Sequence, residues 1–596
     1  MKWIVLACVI GALAAGAVWQ RNRIVTLLRG AKAEVEFRRF AADVGGTRLP
    51  EVRIAMADGV HLATDIYLPD GAEGTKLPAI MMRLPYGKRR FGEALHWIRR
   101  FTAEGYAVVV QDMRGRYASE GVFTPYADDP TDAAATLDWI SAQGWSDGKV
   151  GTIGCSALGE TQVMLATQRH PAHRAMIPLG AGGAIGRLGG TYSYFGAFEG
   201  GILDLASAFG WFSEAGGKTP DRMGLPQIDY AAGLASLPVR DAVARFRADP
   251  TEFRIMLDHY DDAAYWERSN FIAGDERFAT PFLMVDGWYD RARESLMLAQ
   301  QMRETGADGT VMILPALHCG LGWQLQEGRI GDLTLDPAQW IDMEALFLEV
   351  MDHHLRSGPA PDLPPVRYYM LGANEWRDAE SWPPEGTAEQ VVFLGAEGLS
   401  DAPTQPGDLS YTSDPANPVP SVGGNICCTG QPDLRMGPVF QNEIEGRDDL
   451  LVLSSQPLDT PLSIAGPAFA DMSLTADVPD TDLILRLTDV DPQGNSLLIT
   501  EGVLRLRYRE GMDRSVLMTP GEPVRAEVIL RDIAYKVPAG HRLRLHVAST
   551  SFPRLARNLN GGGDPYAETE PHKARITIHV GGETGSKLRI VTLPDG

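Results

Sequence analysis

The residues best able to do chemistry lie at Gly154-Cys155-Ser156-Ala157-Leu158-Gly159. The apolar run Lys149-Val150-Gly151-Thr152-Ile153 comes before them, and a helix-compatible segment, Ala157 to Gln168, comes after. Strand, glycine-flanked serine and helix together make a nucleophile elbow. The turn is sharp and strains the serine backbone, so glycines are needed where a Cβ would strike neighbouring strands. It lifts the hydroxyl to a helix N-terminus, whose free N–H groups can receive an oxyanion. The spacing is G-x-S-x-x-G, one residue longer than the usual form.

A serine nucleophile needs a base, and the base needs a carboxylate to orient it. Both follow in the chain order serine, acid, histidine. The apolar run Pro281 to Val285 leads into Asp286-Gly287-Trp288-Tyr289-Asp290, and Val311 to Leu314 leads into Pro315-Ala316-Leu317-His318. Asp286 and Asp290 compete for the acid role. Asp286 could cap a turn, whereas Asp290 reaches further into the loop. His318 is the histidine that follows a sheet-type run. His353 and His354 end a helix, while His541, His546, His572 and His579 fall in a β-rich region.

These residues need a frame. Val52 to Met56 and Leu62 to Leu68, joined at Asp58-Gly59, read as a β-hairpin. Short apolar runs at Ala79 to Met82, Tyr106 to Val110 and Val150 to Ile153 alternate with helical spacing at Ala94, Trp97, Ile98 and Phe101, and at Ala133, Leu137 and Ile140. That alternation predicts a parallel sheet covered by helices. Residues 185–270 break the rhythm with glycines and aromatics, and read as a helical cap over the carboxyl ends of the strands. A long helix, Pro337 to Leu355, closes the unit. After Pro359-Ala360-Pro361, strand-like runs separated by turns continue from Val366 to His579, the pattern of an all-β sandwich or jelly roll. The expected organisation is a leader at 1–23, a tether at 24–46, an α/β unit at 47–184 and 271–357, the cap at 185–270, and a jelly roll at 360–596.

Several stretches resemble the CocE/NonD serine hydrolases, a family that includes cocaine esterase, α-amino-acid ester hydrolases, glutaryl acylases and Xaa-Pro dipeptidyl-peptidases. They are Arg83-Leu84-Pro85-Tyr86-Gly87-Lys88, Gln111-Asp112-Met113-Arg114-Gly115-Arg116, Ser119-Glu120-Gly121 and Gly144-Trp145-Ser146-Asp147-Gly148-Lys149-Val150-Gly151, with the elbow, Gly287-Trp288-Tyr289-Asp290 and His318. The β-rich end adds Leu487-Thr488-Asp489-Val490-Asp491-Pro492, Arg505 to Gly511 and Gly540-His541-Arg542-Leu543-Arg544. The resemblance implies an α/β-hydrolase fold with Ser156 as nucleophile, Asp290 as acid and His318 as base. It further implies an oxyanion hole made by the Ala157 N–H and the Tyr86 hydroxyl. The family usually has tyrosine after the nucleophile; Ala157 keeps the backbone donor but not the side chain, so acyl preference is expected to differ.

Composition narrows the partners. A formal charge of −22 argues against nucleic acid, which requires a basic surface. The five cysteines form neither a disulfide scaffold nor a metal-ligand spacing, and Cys427-Cys428 read as two buried thiols. No metal or organic cofactor is expected. The uncharged run from Trp3 to Gln20 reads as a signal peptide or membrane anchor, which implies export or anchoring. The expected substrate is a small ester or amide. Xaa-Pro peptides are the alternative, although only about fifty residues precede the first hairpin, too few for the helical domain of the larger bacterial peptidases. Glu199 or Asp204 could anchor a peptide amine, but both read as ordinary surface charges. A non-catalytic carbohydrate- or surface-binding role for the β-rich part is the weakest reading.

Overall fold

The structure is a computed structural model describing residues 35–594, except 42, 191, 194–195, 218–227, 248–250, 269–271 and 432. The leader expected at 1–23 lies outside the described residues. Among the described residues no helix is long and apolar enough to cross a membrane.

The first unit is built on an eleven-stranded sheet. Seven neighbouring strands run parallel: Ala107–Asp112, Leu77–Leu84, Ser146–Cys155, His173–Leu179, Phe282–Tyr289, Gly309–Leu317 and Val366–Met370. His61–Pro69 and Glu375–Ala379 pair antiparallel at the two sides. Every residue of Leu77–Leu84 and Ala107–Asp112 is buried, as a parallel sheet covered on both faces requires. Alternate residues feed opposite cores. Ile80, Met82, Val108 and Val110 pack with Trp97, Ile98 and Phe101 of the helix Gly92–Ala103 and with Phe347 and Met351 of the helix Met343–Arg356. Ala79, Met81, Ala107 and Val109 pack with Ala133, Leu137 and Ile140 of the helix Asp129–Ser141.

The expected boundaries shift in two places. Residues 35–41 are helical rather than a loose tether: Phe37 and Phe40 are buried in the first unit, and Phe40 meets Tyr67 edge to face. Val366–Met370 and Glu375–Ala379, expected in the β-rich part, belong to the first sheet. Val366 lies opposite Val311, so this strand is the return leg of a βαβ crossover through Met343–Arg356. The proline-rich linker marks the crossover's loop, and its composition could not reveal that the sheet was not yet complete.

The cap fills the gap between His173–Leu179 and Phe282–Tyr289. It carries the short helices Leu205–Ala215, Tyr230–Leu234, Glu252–Asp258 and Ala263–Arg268. It is not wholly helical, because Phe198–Glu199 and Ile202–Leu203 form a small hairpin. That hairpin lies against the second unit: a Cβ on Gly200, at φ +52°, would sit 1.9 Å from the Val503 carbonyl oxygen.

The second unit is an all-β jelly roll whose eleven strands pair antiparallel in one connected sheet. The long strands Leu462–Ala476 and Val524–Val537 run side by side and shift register between Gly466 and Ala468, the mark of a β-bulge. Ala574–Val580 alternates buried with more open positions, as a strand with one face in the core must.

Candidate active site

Ser156 stands at the tip of the strand Ser146–Cys155, with φ 60° and ψ −125°. Few non-glycine residues adopt such a backbone, and they do so at functional turns. Its N–H donates to the Leu179 carbonyl at 2.8 Å, and its carbonyl accepts from Glu160 N at 2.8 Å, starting the helix Ala157–Ala166. The two glycines have separate uses. Gly154 has φ +141°, and a Cβ there would come within 2.5 Å of Leu158 Cβ. A Cβ on Gly159 would sit 2.7 Å from the Leu179 carbonyl oxygen. The longer spacing thus places Leu158 beneath the turn and leaves Gly159 to meet the next strand.

Phe282–Tyr289 delivers both candidate acids, and the structure separates them. Asp290 Oδ2 accepts from His318 Nδ1 at 2.8 Å. Asp286 instead accepts from Gly287 N at 2.7 Å and from the Ser295 hydroxyl. Burial, then the neighbouring Asp290 carboxylate, pushes the Asp286 carboxyl far above its usual range. Burial also disfavours a charged Asp290, but His318 and the hydrogen bond from Asp286 outweigh it and hold Asp290 low. The two carboxyls are thus pushed apart, Asp286 towards its neutral form and Asp290, beside the imidazole, towards its charged one. Burial opposes the imidazolium of His318, yet the Asp290 charge beside it raises its pKa. His318 Nε2 is buried and has no hydrogen-bond partner among the described residues. The close approach requires Gly180, since a Cβ there would lie 2.9 Å from Asp290 Oδ2 and 3.4 Å from His318 Cε1.

Ser156, Asp290 and His318 line one pocket of about 550 Å³ of empty space, shared with Glu160, Trp211, Phe212, Arg291, Cys427 and Cys428. The Tyr86 hydroxyl faces the Ser156 side chain and accepts from Trp211 Nε1 at 2.9 Å. Burial pushes its pKa well up, so the phenol stays a neutral donor. The Ala157 N–H belongs to the first helical turn, where no intrahelical acceptor is available.

Three features were missed in the sequence. Cys155 and Cys319, adjacent to Ser156 and His318, are joined by a disulfide. The signal was present: neighbours of two residues that must meet are themselves close. Glu93 accepts from the Cys155 N–H at 2.9 Å, and burial pushes its pKa up to about 7. Glu160, one helical turn beyond Ser156, lies in the pocket wall, hydrogen-bonded to Tyr126. Burial pushes its pKa up to about 7.

The second unit reaches into the site. Asn425 Nδ2 donates to the Asp290 carbonyl, and Arg531 Nη1 donates to the same carbonyl at 3.2 Å. Tyr289 OH donates to the Leu498 and Ile499 carbonyls at 3.2 and 3.1 Å. Glu199 and Asp204 are not surface charges. Glu199 accepts from Arg531 at 2.9 Å and from Arg554 at 2.6 Å. These two guanidinium groups overcome burial and hold its pKa down to about 2. Asp204 is 1% exposed and 3.6 Å from Arg291. A charged residue on the cap hairpin read as solvated because its partners lie hundreds of positions away in the chain.

Residues 58–320 match the X-Pro dipeptidyl-peptidase (S15 family), and residues 360–589 match the X-Pro dipeptidyl-peptidase C-terminal non-catalytic domain. The chain is 32% identical over 544 residues to cocaine esterase of Rhodococcus sp. (strain MB1 Bresler), covering 86% of this chain and 92% of that protein. An α-amino acid ester hydrolase structure superposes with a TM-score of 0.79 at 25% identity, covering 92% of this chain and 97% of the other. An aminopeptidase from the marine sediment archaeon Thaumarchaeota archaeon gives a TM-score of 0.80 at 23% identity over 93% of this chain and 97% of that one, a likeness of fold.

Proposed function

The chain belongs to the CocE/NonD family of serine hydrolases, which act on esters or amides, and from that premise we propose that Ser156 is its nucleophile, His318 its base and Asp290 its orienting acid. The observation that carries the reading is the Asp290–His318 hydrogen bond at 2.8 Å, with Nε2 unpartnered among the described residues and Ser156 lining the same pocket. His318 Nε2 takes the Ser156 proton as the oxygen attacks the acyl carbonyl. The Ala157 N–H and the Tyr86 hydroxyl receive the developing oxyanion, the phenol already held in place by Trp211. His318 returns the proton to the leaving group, and water repeats the sequence on the acyl-enzyme.

The preferred substrate is a small ester or acyl amide, the reading that the cocaine esterase relative supports. Xaa-Pro peptides are the second reading. Glu160 favours it, since Glu199 is spent on arginines whereas Glu160, bonded to a neutral phenol, is a pocket carboxyl that a peptide amine could approach. Residues 1–23 are read as an export signal or anchor; a disulfide at the active site fits an oxidising compartment.

The test compares an aryl ester, an N-acyl amide and a Gly-Pro anilide on the wild type and on Ser156→Ala. Expected is serine-dependent cleavage of the ester or acyl amide, reduced at least ~10⁴-fold in the variant. Ser156→Ala turning over normally would falsify the assignment, and efficient anilide cleavage would transfer preference to the peptide reading.

A further inference from the structure

Four cysteines stand around one imidazole. Two are committed, since Cys155 and Cys319 share a disulfide. The other two, Cys427 and Cys428, are free thiols on the segment that the second unit lays over the pocket. Their sulfurs and a His318 ring nitrogen all lie within 4.8 Å of one another. Two thiols and one imidazole form a donor set suited to zinc. Zinc bonds span about 2.3 Å to sulfur and about 2.0 Å to nitrogen, so tetrahedral donors sit roughly 3.5 Å apart. From at most 4.8 Å, the donors have roughly 1 Å to close.

The surroundings favour it. His318 donates Nδ1–H to Asp290, which leaves Nε2 as a lone-pair donor backed by a carboxylate, the arrangement that orients a zinc-binding histidine. Nε2 is buried and unpartnered among the described residues. Cys428 has φ 56°, a turn that leaves both neighbouring sulfurs near the imidazole. The segment is firmly seated: a Cβ on Gly210 of the cap helix would lie 2.0 Å from the Cys428 carbonyl oxygen. The two thiols are not buried as their sequence suggested: Cys427 is half-buried and Cys428 is exposed, which gives an ion a way in.

We propose that Cys427, Cys428 and His318 form an inhibitory site for a zinc-class divalent cation. Binding forms two metal–sulfur bonds and one metal–nitrogen bond, releases to solvent the two thiol protons together with the Nε2 proton of His318 where the imidazole enters charged, and leaves the fourth position to water. The cation occupies the lone pair that would accept the Ser156 proton, so the loaded enzyme is off. The inhibitory half rests on His318 as base; the binding half does not.

The experiment uses the full chain with its disulfide intact, checked by thiol counting. Zinc itself is titrated into Ser156→Ala by equilibrium dialysis, and cobalt(II) reports thiolate ligation by its charge-transfer absorption. One zinc per chain is expected, weakened at least 100-fold by Cys427→Ser with Cys428→Ser, or by Cys428→Ser alone if the double variant does not fold. Zinc should stop ester turnover by the wild type, a chelator should restore it, and the serine variant should keep its own zinc-free rate in zinc. Undiminished zinc affinity in the folded serine variant, or a cobalt spectrum without the thiolate band, overturns the site. Zinc held by the thiols with turnover unaffected overturns the inhibition and puts the fault in the role given to His318.

Discussion

The α/β unit and the jelly roll contribute to the same pocket in opposite ways. The first supplies groups that can react, each at the end of a strand: Ser156 after Ser146–Cys155, Asp290 after Phe282–Tyr289, His318 after Gly309–Leu317. The second supplies supports. Arg531 and Asn425 hold the Asp290 carbonyl, Arg554 and Arg531 hold Glu199 of the cap, and Cys427 and Cys428 wall the pocket. Chemistry is thus assembled by local chain geometry in one unit and kept in register by long-range contacts from the other.

The comparison predicts that damage in the first unit removes rate, whereas damage in the second removes stability. The largest expected effect is from Asp290→Asn, a loss of about 10⁴ in kcat with the fold intact. Asp290 raises the His318 pKa, so losing it should also move the acidic limb of kcat/KM to lower pH, readable in a pH–rate profile. Arg554→Met tests the other side. Arg554 is fully buried between Glu199 and Glu501. Removing it should cost ~3–5 kcal/mol in denaturant unfolding, because buried carboxylates lose their partner. If Arg554→Met left stability unchanged and lowered only kcat, the division of labour between the units would fail.

Tyr86→Phe should lower kcat about 10²–10³-fold while KM for a small ester stays near wild type, as expected for a donor that acts on the oxyanion. The smallest effect expected is from Glu160→Gln. Burial lifts Glu160 to about 7, above its ordinary carboxyl value, so the folded chain holds more protons than the unfolded one between those values. Stability from this group is present at low pH and lost as pH rises towards 7, by roughly 1 kcal/mol per pH unit. Unfolding curves of Glu160→Gln should lack that slope; an unchanged slope would place the titration on Glu93 or elsewhere.

The sequence disclosed the first unit's contribution because a nucleophile elbow, a strand-end acid and a strand-end histidine are local patterns. It left Asp286 and Asp290 undecided, since both follow the same strand and only their partners, Ser295 and His318, tell them apart. It misjudged Glu199, whose arginines lie 332 and 355 positions away. It placed the edge of the first sheet too early, because Val366–Met370 has the same residue pattern in either unit and only pairing with Gly309–Leu317 assigns it. The helix over 35–41 was hidden because its signal is the burial of two phenylalanines, a tertiary property.

The Cys155–Cys319 bond spans 164 residues, and the whole cap lies inside that span. The cap is therefore a segment of a covalent ring. A protease that cut anywhere within it would leave Ser156 and His318 on two polypeptides still joined through sulfur, and only a reductant would free one from the other.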